Sequence, residues 1–167
     1  MSRLDTFITR LLMQKCLLDH LCAELNASRD TLPGPVIELG LGNGRTYHHL
    51  RERIEGRRIM AFDRDLGAHP VSYPPAGDLI IGDISQTGAA YASEHGAHAA
   101  MVHADLGNGR PEYDTKLRGW LPHVAHALLR PGARFLTSTE IAHPGLVLQP
   151  LPPAAPKYDY FIYLRMP

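Results

Sequence analysis

The stretch Glu38-Leu39-Gly40-Leu41-Gly42-Asn43-Gly44 decides how the rest of the chain is read. It stands where the short apolar run Val36-Ile37-Glu38-Leu39 gives way to a helical pattern. That helix puts Tyr47, Leu50 and Ile54 on one face and is closed by Gly56. Glycines at such a strand-to-helix turn allow positive φ and let the backbone approach a ligand closely. Spacing separates the ligands that the turn could serve. A Walker A loop needs Gly, four residues, then Gly-Lys-Ser/Thr, but Leu39 stands five positions before Gly44 and Arg45 replaces the lysine. A dinucleotide fingerprint needs Gly-x-Gly-x-x-Gly. Gly40 and Gly42 fit it, yet Arg45 holds the third place and the glycine falls one residue early. What remains is Glu-x-Gly-x-Gly-x-Gly.

Outward from this turn, strands and helices alternate. Residues 58–63, 78–83, 99–105 and 133–138 are short apolar strands, with helices over about 86–95 and 115–129 and a stop at Pro131-Gly132. Such alternation predicts βαβ units and a buried parallel sheet. The runs 146–149 and 158–164 have only a proline-rich link between them, too short for a crossover helix, so they are expected to be antiparallel. At the other end, Leu4, Ile8, Leu11, Leu18, Cys22 and Leu25 recur at helical spacing over 3–26, widened by Phe7, Leu12 and Leu21. Ser2 and Asp5 have the spacing of a capping box. The expected architecture is a doubly wound α/β domain over 1–167: an N-terminal helix (1–30), a core (35–138) and a C-terminal strand pair (145–165). Its sheet has seven strands, mostly parallel, with an antiparallel C-terminal strand.

The 167 residues are 44% hydrophobic, and Lys plus Arg balance Asp plus Glu at 17 each. That composition excludes a disordered chain, and zero formal charge supplies no global field for nucleic acid or anionic membranes. No run approaches the ~20 apolar residues of a membrane span, and charged residues interrupt the N-terminus too often for a secretory signal. Cys16 and Cys22, on one helix, are separated by about 9 Å of rise, too far for a disulfide. A cytoplasmic location is expected.

The Glu-x-Gly-x-Gly-x-Gly turn resembles the first motif of the class I S-adenosylmethionine-dependent methyltransferases. The resemblance covers residues 35–138. Asp63 ends the second strand, where that family places an acid on the ribose hydroxyls. Gly82-Asp83-Ile84 ends the third, where the family contacts adenine, and Asp105 ends the fourth, beside the methionine part and the acceptor. Leu129-Arg130-Pro131-Gly132-Ala133 is similar to the family's L-x-P-G-G turn, with Ala133 in place of the second glycine. The resemblance implies S-adenosyl-L-methionine as cofactor. It implies a cofactor set of Glu38, Gly40, Leu41, Gly42, Asn43, Gly44, Asp63, Arg64, Asp83 and Ile84, with Asp105 at the reacting centre. The chemistry agrees, because this cofactor has no phosphate to cradle and offers vicinal hydroxyls to acceptor-only carboxylates.

After the fourth strand comes His103-Ala104-Asp105-Leu106-Gly107-Asn108-Gly109. The Asn/Asp-Pro-Pro-aromatic motif of amino-nitrogen methylases and the Pro-Cys pair of cytosine-C5 enzymes are both missing. Both absences count against nucleic acid, and the core uses so much of the chain that no inserted domain remains for a large substrate, so a small-molecule acceptor is expected, with no nucleic acid and no membrane. His103 is a weaker candidate base than Asp105. His123 and His126 share a helical face, but no metal is expected. Arg51, Arg53, Arg57 and Arg58, interrupted by Glu52 and Glu55, read as an exposed helix face. The apolar first helix and the aromatic run Tyr158, Tyr160, Phe161, Tyr163 suggest a homodimer or higher homo-oligomer. Two rival readings are a non-catalytic S-adenosylmethionine-binding regulator or partner subunit and, against the misplaced third glycine, an NAD-dependent oxidoreductase.

Overall fold

The computed structural model describes residues 2–167. In chain order the elements are α1 (Arg3–Ala27), β1 (Val36–Leu39), α2 (Arg45–Arg53), β2 (Ile59–Asp63), a 3-10 turn (Pro70–Ser72) and β3 (Leu79–Ile81). There follow α3 (Ile84–His95), β4 (Ala99–Ala104), α4 (Pro111–Leu128), β5 (Leu129–Thr137), β6 (Leu146–Leu148) and β7 (Phe161–Arg165). The seven strands form one sheet in the order β3-β2-β1-β4-β5-β7-β6. Strands β1 to β5 are mutually parallel, and β7 runs antiparallel between β5 and β6. The order runs outward in opposite directions from β1 and β4. Their carboxyl ends therefore open a crevice, the place where doubly wound sheets bind ligands.

Alternation along the strands supplies two cores. Val36, Ala61 and Leu136 face α1 and α2, meeting Leu17, Leu21, Leu25, Tyr47 and Leu50. Ile37, Leu39, Phe62, Val102 and Phe135 face α3 and α4, meeting Tyr91, Leu117, Leu121 and Leu128. The Ser2–Asp5 capping box forms at both bonds, 2.8 and 3.0 Å.

Several expectations change. In α1 the buried stripe begins only at Met13 and includes Gln14 and Leu17, whereas Leu4, Phe7, Ile8 and Leu12 are exposed. Phe7 and Leu11 line a small cavity against the glycine turn instead of packing on the sheet. Helix α4 starts at Pro111, four residues early. Proline at the first turn loses no bond, and Glu112 and Asp114 complement the helix dipole there. Pro131-Gly132 lies inside β5 as a bulge, because Leu129 pairs with Ala99 and Arg134 with Met101. Strand β7 begins only at Phe161, and the nearby rings Tyr160 and Tyr163 are buried within the chain itself, which removes that motive for self-association. Both cysteines are free thiols. Among the described residues no helix is long and apolar enough to cross a membrane.

Candidate active site

At the carboxyl ends of β1 to β4 lies a cleft of ≈ 520 Å³, within the usual range for small-ligand sites. Its walls include Gly40, Gly42, Asp63, Arg64, Asp83, Ile84 and Asp105 from the expected set. Leu106, Tyr113, Lys116 and Trp120 join them, the last three from α4, which no sequence motif marked. Gly42 has φ of 52°, and a Cβ built on it would meet no heavy atom within 4 Å. A side chain there would be strained and would enter open space at the cleft, so the turn leaves a cradle at that point. The Asp63 carboxylate accepts from the Gly42 N–H at 2.6 Å and the Arg64 N–H at 2.6 Å. It thus ties the second strand to the glycine turn, and each oxygen keeps further lone-pair capacity. Asp83 caps α3 through the Ser85 N–H at 2.9 Å. The Ser85 hydroxyl, and then that backbone bond, hold the Asp83 carboxyl below the usual carboxylate range.

Glu38, Leu41, Asn43 and Gly44 stand outside this cleft. Gly44 starts α2 in the left-handed region, and Asn43 accepts from the Arg45 N–H at 3.2 Å. Leu41 is core. Glu38 is 1% exposed, because the β1–β4 register sets it beside His103 on the sheet face covered by α1. Its carboxylate accepts from the Thr46 hydroxyl and meets His103 Nδ1 at 2.7 Å. His103 Nε2 is 2.7 Å from the Tyr160 hydroxyl, which accepts from the Gln14 amide at 3.0 Å. Gln14 also donates to Asp105 Oδ2 at 2.9 Å, and Arg10 donates to the same oxygen at 2.6 Å.

One polar chain thus runs from beneath the glycine turn to Asp105. Above the pKa of His103, with its ring neutral, every link is satisfied: Gln14 donates to Tyr160 and Asp105, Tyr160 to His103, and His103 to Glu38; below it the ring is charged and pairs with the Glu38 carboxylate. His103 is fully enclosed, so it is a link in this chain and not an accessible base. Burial opposes charge on His103, but the Glu38 carboxylate outweighs that and raises its pKa. Burial, and then the Asp105 charge, keep the Tyr160 phenol neutral far above its ordinary range. Arg10 and Gln14 carried no site motif in the sequence, and Tyr160 stood there only as part of an aromatic run. The only signal was a polar pair four residues apart on an apolar helix.

The raised His103 pKa carries a pH prediction. A group whose folded pKa lies above its unfolded value stabilises fully below the unfolded value, about 6.5, and loses that contribution as pH rises through the folded pKa. Urea unfolding should therefore show stability falling above about pH 6.5. The double variant Glu38→Gln, His103→Gln should lack that fall. Equal slopes in the two proteins would remove the ion pair as its cause.

Asp105 has a second oxygen with no partner. Oδ1 is buried and unpaired, as is the Ser138 hydroxyl, and both residues line a mainly polar pocket of ≈ 740 Å³. That pocket meets the 520 Å³ cleft at Asp105, which also borders the α1 cavity. Elsewhere, His143 joins His123 and His126, with ring centroids 5.2 and 4.4 Å away. The Gly145 N–H donates to His143 Nδ1 and Arg165 donates to His126 Nε2. Among the described residues no group of three or more such side chains is placed to hold a metal ion.

The strand order, the glycine turn on β1 and the acids ending β2 and β4 define a Rossmann-like methyltransferase. An S-adenosyl-L-methionine methyltransferase family model matches residues 1–165, and the chain belongs to that family. No curated protein matches it. The solved S-adenosyl-L-methionine methyl transferase of Silicibacter pomeroyi DSS-3 is 44% identical over 99% of both chains, with a TM-score of 0.89. The O-methyltransferase TomG of Streptomyces achromogenes, involved in tomaymycin synthesis and solved with SAM, is 16% identical. The match covers 92% of this chain and 80% of that one, with a TM-score of 0.58. The 16S rRNA (adenine(1408)-N(1))-methyltransferase of Catenulisporales acidiphilia, solved with SAM as cosubstrate, is 13% identical. Here the match covers 89% of this chain and 91% of that one, with a TM-score of 0.52. The cofactor is S-adenosyl-L-methionine, and the chain is a methyltransferase.

These likenesses correct one expectation. An rRNA enzyme shares this fold, so the expected small-molecule acceptor with nucleic acid excluded does not stand. A shared fold does not choose the acceptor. Two missing motifs after β4 therefore exclude nothing.

Proposed function

We propose that this methyltransferase acts on a nitrogen or oxygen that carries a proton, presented to Asp105 from the polar pocket. The observation behind this is the unpaired, buried Oδ1 of Asp105 at the junction of the cofactor cleft and that pocket. A buried acceptor left without a partner is costly, and an N–H or O–H on the bound acceptor would satisfy it. S-adenosylmethionine supplies an electrophilic methyl group on a sulfonium. The chain's residues then have two tasks. In the cofactor cleft, Asp63 accepts from the ribose hydroxyls, Ile84 and the Asp83 turn border the adenine, and Gly40 and Gly42 admit the ligand to the backbone. On the acceptor side, Arg10 and Gln14 fix one Asp105 oxygen, which aims the other. Once a bound acceptor displaces the groups that enclose it, that oxygen orients the acceptor and receives its proton, and the Ser138 hydroxyl, enclosed in the same way, offers a second contact.

A panel of amines, phenols, thiols and RNA, assayed for methyl incorporation and S-adenosylhomocysteine release, tests this reading. Protic nitrogen or oxygen acceptors are expected, and methylation confined to sulfur or carbon would sink the proposal. With an accepted substrate, Asp105→Asn should lower turnover about 10²- to 10⁴-fold, the range for general acid–base catalysis, while S-adenosylmethionine affinity changes little. Lost affinity with normal turnover at saturation would assign Asp105 to the cofactor instead.

A further inference from the structure

We propose that the cleft at the amino ends of β1, β2 and β4 binds a phosphate group, as inorganic phosphate or as the phosphate of a small nucleotide. The arginine run read as a helix face divides in the structure. Helix α2 ends at Arg53, so Arg57 and Arg58 leave it and join Arg29 in lining a cleft of ≈ 460 Å³. The opposite wall carries Tyr91, His95 and His98. Six residues of β4, about 20 Å at strand rise, separate this cleft from the methyl-transfer site.

Its charge is uncompensated. Arg58 is neutralised by Asp78 at 2.5 Å, but Arg29, Arg57 and the adjoining Arg130 pair with no carboxylate among the described residues. Arg57 donates to the carbonyls of Leu32 at 2.7 Å, Gly34 at 3.0 Å and Leu25 at 2.9 Å, while its Nε is buried without a partner. Arg130 donates to the Pro33 carbonyl. Carbonyls satisfy hydrogen bonds without cancelling charge. Burial, and then Arg29 and Arg130, lower the Arg57 pKa, so these guanidiniums do feel one another. Arg29 itself lies over Gly56, where a Cβ would come within 2.5 Å of its Nη1, and it makes no hydrogen bond among the described residues.

Lining guanidiniums of which only Arg58 meets a carboxylate are an arrangement that recognises phosphate oxygens. The ring nitrogens of His98 and Nδ1 of His95 are bonded within the chain, but His95, stacked on Tyr91 at 4.0 Å, is partly exposed and presents a flat ring to a nucleobase. The full chain, saturated with S-adenosylhomocysteine to block the methyl-transfer site, is titrated calorimetrically with sodium phosphate and with AMP. Sodium chloride at matched ionic strength is the reference. Saturable binding of either ligand is expected. It should weaken at least about tenfold in Arg29→Gln, with an unchanged affinity for S-adenosylhomocysteine. Tighter binding of AMP assigns the site to a nucleotide, and equal binding assigns it to phosphate alone. Heats no larger than those of chloride, or undiminished affinity in Arg29→Gln, would overturn the site.

Discussion

Glu38→Ala is expected to lower the unfolding free energy by about 3–5 kcal/mol, the cost of breaking a buried ion pair from one side. Glu38 and His103 are 1% and 0% exposed, so neither group has water to fall back on. Without Glu38, His103 Nδ1 on β4 and the Thr46 hydroxyl on α2 both lose their acceptor. The damage spreads further, because His103 fixes Tyr160 and Tyr160 shares Gln14 with Asp105. Glu38→Gln keeps the shape and a hydrogen-bond acceptor, and should cost clearly less than the alanine. Urea unfolding of the ligand-free chain measures both. A loss within about 0.5 kcal/mol for Glu38→Ala, typical of a surface site, would show that the chain of bonds does not support the fold.

Asp63→Ala should weaken S-adenosylhomocysteine binding by about 1.5–3 kcal/mol, the range for hydrogen bonds to a charged group. That corresponds to about 10- to 150-fold in affinity. Two contributions combine at this residue. The carboxylate holds the Gly42 N–H, and so the shape of the glycine turn, and it is the proposed partner of the ribose hydroxyls. Asp63→Asn keeps one acceptor oxygen and should fall between the wild type and the alanine. Calorimetric titration reads all three proteins. An alanine variant within twofold of wild type would remove Asp63 from the cofactor site.

Much of this molecule was legible in its residues. Three alternating glycines between an apolar strand and a helix, with Asp63 and Asp105 ending later strands, mark the crevice in the sequence itself. Strand positions and the antiparallel end followed from apolar runs and from a link too short for a crossover. Such features are local, since period, turn chemistry and linker length act between residues near in sequence. Boundaries failed where local rules were weak. The segment 111–114 has no apolar period to mark a helix, and Pro131-Gly132 reads as a stop whether it lies before a strand or bulges within one.

Residues far apart in sequence met for reasons that no local pattern carries. Glu38 matched the motif but was withdrawn from the cleft, because the β1–β4 register turned it toward His103 and α1. Gln14 and Tyr160, 146 positions apart, share a hydrogen bond only because α1 and the segment before β7 cover the same face of the sheet. The tertiary structure likewise left one Asp105 oxygen without a partner and collected Arg29, Arg57 and Arg58 around a single hollow. The sequence by itself determined the class of fold and the carboxylates at the strand ends, through periodicity and spacing, and pointed to the cofactor through the resemblance of its glycine turn to a methyltransferase motif. Which of those groups face the ligand, and which are spent holding one another, only the tertiary structure decided, because burial and pairing depend on what lies across the sheet.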